Sequence, residues 1–211
     1  MSKHQPKRRK VLLATTNPAK QEKLRWLLDG LGVELVRPQD IGVRVETAEE
    51  EGSHEAIAGA KAVAWAKASG VMAIASDGGL VIPSLGERWD ALRTGRFAGA
   101  KAGDRERIEA LLALMKSYRG EERVAYWREA VAVADGERVL ASWSAESGRG
   151  RIAEQYAASK VIAGFWAFSL WVVPPFEKAY AELTVAERER VDDHWGRLRG
   201  MAGEWAGKSL G

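Results

Sequence analysis

The sequence contains no cysteine, which excludes disulfide bonds and thiolate chemistry and leaves any bound metal to oxygen or imidazole ligands. Histidine is scarce too. Only three histidines are present, and this number argues against a zinc site built on imidazole. Because disulfides are typical of oxidising compartments, their exclusion leads us to expect a cytoplasmic protein.

Long apolar runs are also missing. The stretch that most resembles one, VIAGFWAFSLWVV at residues 161–173, is closed by two prolines. It is too short to span a membrane, which needs about 20 residues, so we expect no membrane association. We interpret this stretch as a buried strand pair or as a contact between subunits. A homodimer could bury its two tryptophans, Trp166 and Trp171.

The chain has only a small excess of positive charge. The formal net charge is +3, and five of the basic residues lie within the first ten positions. The rest of the chain is therefore nearly neutral, and we expect no basic surface for nucleic acid. The segment HQPKRRK has no apolar run, so we interpret residues 1–10 as a disordered basic tail rather than a secretory signal. A nucleic-acid contact by this tail is the less favoured alternative.

The length and composition bound the domain organisation. A chain of 211 residues with 46% hydrophobic residues can bury one sizeable core, as one domain or as two closely joined lobes. Strand and helix patterns alternate in the first half, whereas two strand patterns flank Asp135-Gly136 and predict an antiparallel hairpin. We therefore predict an α/β fold, with one two-lobed domain at residues 11–205 and short tails at 1–10 and 206–211.

Two helices have clear sequence signals. Ser53 is a candidate N-cap for an alanine-rich helix that runs to about Ser69. Its spacing predicts an inner stripe of Ile57, Ala60 and Ala64 and places Lys61 on the opposite, solvent-facing side. Thr184 and Glu187 form a capping box for a last helix that we expect to continue through about Arg199.

The stretch VLLATTNPAK, residues 11–20, carries the first chemical signal. An apolar strand pattern runs into a helix start, where backbone N–H groups without partners favour an anion. The hydroxyls of Thr15 and Thr16, the amide of Asn17 and the ammonium group of Lys20 converge on this turn. A phosphate chain is the ligand that this combination favours. The alternative is an ordinary strand-to-helix turn with a solvated lysine.

Carboxylates supply the second signal. Glu49, Glu50 and Glu51 cluster before the alanine-rich helix, and Asp77 follows the apolar run VMAIAS. Magnesium is commonly bound by one or two carboxylates together with substrate phosphate oxygens and waters. Such a site could also activate water for attack on phosphorus. The alternatives are a solvated acidic loop and, for Asp77, a turn residue before Gly78-Gly79.

These residues match the motifs of a known family over nearly the whole chain, from about Val11 to Leu198. The chain resembles the inosine triphosphate pyrophosphatase family, which hydrolyses non-canonical purine nucleoside triphosphates to monophosphate and pyrophosphate. Six motifs of the family have counterparts in this chain. In chain order they are T-x-N-x-x-K, a glutamate followed by a glycine and a helix lysine, D-S-G-L, S-A-R-Y-A-G, the D-R helix and G-R-I. These counterparts are Thr15, Asn17 and Lys20; Glu49, Gly52 and Lys61; residues 77–80; residues 94–99; residues 104–112; and residues 150–152.

The resemblance implies an elongated mixed sheet flanked by helices, two lobes around a central cleft, and a homodimer. It implies a Mg²⁺ cofactor and a nucleoside triphosphate substrate. Asp77 would be a metal ligand or the base that orients water, and Glu49 the partner carboxylate on the metal. The residues implied to bind substrate are Thr15, Asn17, Lys20, Lys61 and Arg96 at the triphosphate, with Phe165 as the stacking aromatic and His194 as the retained histidine of the last motif.

The departures from the family pattern concentrate in the groups that read the 6-oxo purine edge. The family's F-G-Y-D-P is FWAFS at residues 165–169, its S-H-R is Asp193-His194-Trp195, and a preceding lysine is Glu189. Ser76 replaces the first aspartate of the family's D-D pair. Each lost hydrogen-bonding group costs roughly 1–3 kcal/mol of base affinity, so we expect an altered or relaxed base preference. The alternative is a nucleotide-binding or lapsed paralogue that uses residues 161–173 to bind a partner without turnover.

Overall fold

The structure is a computed structural model that describes residues 8–45, 52–99, 101–191 and 193–209. Within these ranges the chain forms eight β-strands and six α-helices. None of the helices in the described part of the chain is both long enough and apolar enough to cross a membrane.

The strands are β1 (Lys10–Leu13), β2 (Glu34–Val36), β3 (Met72–Val81), β4 (Val124–Asp135), β5 (Arg138–Glu146), β6 (Gly150–Ile152), β7 (Trp171–Val173) and β8 (Lys178–Ala179). They form one mixed sheet in the order β2-β1-β3-β4-β6-β7-β8, with β5 paired to β4. The strand β1 pairs in parallel with β2 and β3, whereas β6 pairs antiparallel with β4 and β7, and β7 pairs antiparallel with β8. The predicted α/β class is therefore confirmed.

The helices are α1 (Pro18–Leu28), α2 (Pro38–Ile41), α3 (His54–Ser69), α4 (Asp104–Leu114), α5 (Val185–Arg188) and α6 (His194–Ser209). Among them, α1 and α3 begin at capping residues that the sequence supplies. Asn17 caps α1 and Ser53 caps α3 with their side-chain oxygens. Gly70 ends α3 in the left-handed region, with φ of 64°, which glycine adopts without strain.

The described residues group into two compact units. The first contains residues up to Asp77, residues 130–144 and residues from Arg197 onward, and the second contains residues 78–129 and 145–196. In the first unit, α3 packs on the sheet through small side chains, which allow a close approach of helix and strands. The alanines of this interface are Ala58, Ala62 and Ala66 of α3, Ala73 and Ala75 of β3, and Ala130, Ala132 and Ala134 of β4.

The core of the second unit is aromatic. The ring of Phe168 lies 4.9 Å from that of Trp127 and 4.6 Å from that of Tyr180, measured between centroids. It also stacks on Phe165 at 4.9 Å with an interplanar angle of 11°. Stacked and tilted aromatic pairs of this kind stabilise a core beyond their buried area.

Three sequence-based predictions are wrong. Residues 161–173 do not form a strand pair: a 3₁₀ turn at Trp166–Ser169 leads into the single strand β7. Trp166 and Trp171 are buried within the second unit, so no contact between subunits is needed to shield them from solvent. The last helix is two helices, because α5 ends at Arg188 and α6 begins at His194. Finally, Ala60 is exposed, and the inner face of α3 is lined instead by Ile57, Ala58, Ala62, Trp65 and Ala66.

Candidate active site

Asp77 lies inside β3, which continues to Val81, so it is not the turn residue that the sequence left open as an alternative. The parallel register places Ile74 opposite Leu13, the last residue of β1. Asp77 is therefore three residues beyond this pair, toward the same edge at which the chain leaves β1 for α1. This is the edge of a parallel sheet at which ligands bind. The structure thus brings the carboxylate and the turn after β1 to one side of the first unit.

Two side chains from α3 hold the two oxygens of Asp77. The ammonium group of Lys61 donates to Oδ1 at 2.6 Å, and Nδ1 of His54 lies 2.7 Å from Oδ2. Because the carboxylate oxygen accepts in the second contact, Nδ1 of His54 must carry the hydrogen. The exposed fractions of the side chains differ: 4% for His54, 13% for Asp77 and 24% for Lys61.

The charge of Asp77 is set by opposing effects. Burial alone would raise the pKa of this carboxyl group, because it penalises the charged form. The hydrogen bond from His54 and the positive charges of Lys61 and Lys20 outweigh that effect, and the pKa is lowered below its ordinary value. The carboxylate is therefore ionised at neutral pH although it is largely buried.

The contact between His54 and Asp77 was not predicted from the sequence, where His54 was considered only as a zinc ligand. A signal was nevertheless present. Ser53 caps α3 by accepting a hydrogen bond from the backbone N–H of Ala56 at 3.2 Å, which fixes the helix start. His54 and Lys61 are seven residues apart, and this spacing places two side chains on the same helix face two turns apart. Both therefore reach the same carboxylate.

The turn after β1 is built differently from the expected open anion site. Oδ1 of Asn17 accepts hydrogen bonds from the backbone N–H groups of Ala19 and Lys20, at 2.9 Å and 3.4 Å. These two amides are therefore engaged by the cap, and the expectation that they lack partners is wrong. Oγ1 of Thr15 accepts from the backbone N–H of Asn17 at 3.1 Å. Asn17 and Thr15 thus shape the turn, while Lys20 is half-buried and acts electrostatically on Asp77.

The fit of this site to Mg²⁺ depends on its oxygen donors. Asp77 offers an ionised carboxylate of the type that Mg²⁺ prefers, but no group of three or more potential metal ligands occurs among the described residues. Glu49, Glu50 and Glu51, which the sequence suggested as further ligands, lie outside the described residues. Ser76 is buried, and its hydroxyl has no hydrogen-bond partner there. Among the described residues of this site, Asp77 is therefore the side chain that fits the ion, as one of its ligands.

Arg96 is exposed in the second unit, at the end of a 3₁₀ turn, Ala91–Arg96. The buried Thr94 attaches this turn to β3. Its hydroxyl accepts from the backbone N–H of Leu80 at 3.1 Å and donates to the carbonyl of Ala91 at 2.9 Å. A Cβ at position 79 would lie 1.8 Å from that carbonyl oxygen. Gly79 is therefore required for the turn that presents Arg96.

The two residues expected at the base, Phe165 and His194, are both buried in the second unit. His194 stacks on Trp127, with centroids 6.0 Å apart and an interplanar angle of 23°. The neighbouring Asp193 accepts hydrogen bonds from the hydroxyl of Tyr180 and from the backbone N–H of Trp195. Burial and the nearby Asp193 charge raise the pKa of Tyr180, so Tyr180 remains a neutral donor. The substituted motif therefore takes part in the packing of the unit.

Comparisons with known proteins agree with this architecture. The Ham1 family model matches residues 11–200. The dITP/XTP pyrophosphatases of Bacillus subtilis and Yersinia pestis are 30% and 34% identical to the chain, over 92% and 91% of it and 96% and 95% of their own lengths.

Solved structures show the same fold. A HAM1 protein from Coxiella burnetii superposes with a TM-score of 0.78 at 24% identity, covering 95% of this chain and 100% of its own. A nucleoside-triphosphatase / dITP/XTP pyrophosphatase from Mycobacterium abscessus superposes with a TM-score of 0.69 at 29% identity, over 92% and 97%. The resemblance drawn from the motifs is confirmed, and the chain belongs to the Ham1 family.

Proposed function

We propose that this protein hydrolyses a nucleoside triphosphate, with a non-canonical purine as the favoured base, to the monophosphate and pyrophosphate. The observation that carries the proposal is the buried, ionised Asp77, held by Lys61 and His54 with the charge of Lys20 nearby. Relatives that match over nearly their whole length bear the name dITP/XTP pyrophosphatase, which supports this assignment.

In this reaction water attacks the α-phosphorus, the bond to the bridging oxygen breaks, and pyrophosphate leaves. Lys20 and Lys61 bind the phosphate oxygens, and Arg96 adds a third cation. Thr15 and Asn17 hold the turn that presents Lys20, as their hydrogen bonds indicate. Asp77 either binds the metal or accepts the proton of the attacking water. Charge on the phosphates is thereby balanced by cationic side chains, and such electrostatic stabilisation is the main way in which phosphoryl transfer is catalysed.

We propose Mg²⁺ as the cofactor, with Asp77 as one ligand and Glu49 as the second. When bound, the ion neutralises phosphate charge and lowers the pKa of a bound water.

We further propose a homodimeric enzyme that works in the cytoplasm. Size-exclusion chromatography with light scattering checks the dimer, since a monomer at micromolar concentration would contradict it.

We propose an altered or relaxed base preference, because the substituted motif around His194 is packed into the second unit. In this proposal Phe165 and His194, both buried, support the base pocket from the core of the second unit rather than supply the full set of hydrogen-bonding groups. The binding of a nucleotide without turnover, by a lapsed paralogue, is the competing hypothesis. The partner-binding surface that this hypothesis requires is not exposed, because Trp166 and Trp171 of residues 161–173 are buried.

A substrate panel tests the proposal. The purified protein is incubated with Mg²⁺ and ITP, dITP, XTP or each canonical triphosphate, and pyrophosphate release is followed, with EDTA-treated samples as controls. We expect pyrophosphate and monophosphate in equal amounts, and loss of turnover with EDTA. We also expect a smaller preference for ITP and XTP over the canonical triphosphates than a site with all of the family's base-reading groups would give. Absence of turnover with every triphosphate would overturn the proposed function, and calorimetric nucleotide binding in that case would favour the competing hypothesis.

A further inference from the structure

His54 is the residue of the site that neither the motifs nor the proposed chemistry uses. It lies at the first position of α3, and its side chain is 4% exposed. Burying an imidazole is costly unless its polar atoms are hydrogen-bonded, and here Nδ1 is bonded to Oδ2 of Asp77 at 2.7 Å. The contact therefore joins two buried groups that neither solvent nor a ligand readily separates.

The contact of Lys61 with Asp77 is, in contrast, partly exposed to solvent. The ammonium group of Lys61 donates to Oδ1 of Asp77 at 2.6 Å, but the side chain is 24% exposed and ends in a flexible, strongly hydrated group. A triphosphate at the neighbouring turn would compete with Oδ1 for this cation, because it carries more charge than one carboxylate. The two oxygens of Asp77 thus differ: the partner of Oδ2 is fixed, and the partner of Oδ1 is replaceable.

We propose that His54 is a positioning residue that reserves Oδ2 of Asp77, so that Oδ1 is the oxygen that acts on the substrate once Lys61 has turned to the phosphates. This inference rests on the proposed function. His54 does not touch the substrate; it fixes the direction in which Oδ1 points. A carboxylate held at one oxygen keeps one orientation, whereas a carboxylate held by neither oxygen is free to rotate about its Cβ–Cγ bond when Lys61 leaves.

A matched pair of variants tests this role. Asparagine has an N–H group where His54 has Nδ1–H, and leucine has nearly the same shape as asparagine without the donor. We expect His54→Leu to lower kcat by about 10- to 100-fold, as losses of supporting hydrogen bonds to site ligands do, with little change in KM for the triphosphate. His54→Asn should recover most of that loss. His54→Phe, which keeps a ring but no donor, should behave like the leucine variant and replaces it if leucine prevents folding.

A binding measurement separates His54 from Lys61. Calorimetric affinity for a non-hydrolysable triphosphate analogue should be the same for wild type and His54→Leu, but weaker for Lys61→Met, which should also raise KM. The inference would be overturned by unchanged kcat in His54→Leu, by equal losses in the asparagine and leucine variants, or by a loss that appears only in KM. Wild-type protein that turns over no triphosphate would overturn both this inference and the proposed function, whereas an active wild type with an unaffected leucine variant would overturn this inference alone.

Discussion

The carboxylate of Glu129 lies against the backbone of Gly78, so close that a Cβ at position 78 would be 2.0 Å from Oε2. Glu129 is fully buried, and its Oε2 accepts a hydrogen bond from Nε1 of Trp127 at 2.9 Å. The same Cβ would lie 2.8 Å from the carbonyl oxygen of Arg128. Position 78, directly after Asp77, therefore requires glycine because β4 passes beside it.

We predict that Gly78→Ala lowers the free energy of unfolding by about 1–3 kcal/mol, the usual cost of forcing an extra carbon into a packed interior. Urea denaturation checks this value. Gly95→Ala is the matched control, because a Cβ at position 95 would meet no neighbouring atom within 4 Å, and it should change stability by less than about 0.5 kcal/mol. Equal costs at the two positions would show that the close approach of Glu129 and Arg128 does not constrain the backbone.

Asp77→Asn should lower turnover of the best triphosphate by at least about a hundredfold, because the amide carries no charge to balance Lys61 or to act on the substrate. Steady-state kinetics with the substrate panel measure the loss. Asp135→Asn makes the same chemical change at an exposed residue, the last of β4, and should leave turnover unaltered. Near-normal activity of the Asp77 variant would remove this residue from the chemistry.

The lowered pKa of Asp77 predicts a pH-dependent contribution to stability. The folded protein holds fewer protons on this group than the unfolded chain, whose pKa is about 3.9. The contribution is therefore present above about pH 4 and is lost as the pH falls through the folded-state pKa. We expect the difference in unfolding free energy between wild type and Asp77→Asn to shrink from about pH 6 to about pH 3. A difference that stays constant or grows toward acid pH, measured by urea denaturation, would contradict this assignment.

Arg123 should be a main stabilising residue of the second unit. Its guanidinium group is buried and donates to the carbonyls of Ile152, Ala153 and Met115 at 2.7, 2.6 and 2.8 Å. Each buried acceptor left without a donor costs roughly 1–3 kcal/mol, so Arg123→Met should lower the free energy of unfolding by at least about 3 kcal/mol.

Thermal and urea unfolding of the Arg123 variant give this value, with Arg105→Met as the control. Arg105 pairs with Glu109 on the exposed surface of α4, where an ion pair contributes little. Arg123→Lys should fall between wild type and the methionine variant, because one ammonium group cannot reach the same three carbonyls. A methionine variant as stable as the Arg105 control would contradict the role given to Arg123.

Local patterns predicted the elements that depend on local chemistry. The Asn17 and Ser53 caps, the end of α3 at Gly70 and the β4-β5 hairpin all follow from side chains close in sequence. The hairpin turn falls on Gly136 and Glu137, one residue later than expected. Motif matching also assigned Lys20, Lys61 and Asp77 to one site, and that assignment stays a proposal. In the structure Lys61 donates a hydrogen bond to Asp77, and the charges of Lys61 and Lys20 favour its ionised form.

The remaining errors arise where tertiary contacts decide. Residues 161–173 are apolar apart from Gly164 and Ser169, so periodicity could not distinguish a strand pair from the 3₁₀ turn and single strand that pack around Phe168. In α3, alanine lies on both faces, and the hydrophobic pattern therefore could not show that Ala60 is exposed. His54 was overlooked because its partner is 23 residues away on a different element, a relationship that the sequence spacing of histidines does not reveal.

The alanines between α3 and the sheet have a consequence for the geometry of the site. Both donors to Asp77 belong to α3, and the methyl groups of Ala58, Ala62 and Ala66 against those of β3 and β4 determine how far that helix stands from the strand that carries the carboxylate. Methyl groups have no rotamers with which to absorb a change. The distance that the imidazole of His54 and the ammonium group of Lys61 must span to reach Asp77 is therefore set by the smallest side chains of the core, which are remote from the substrate.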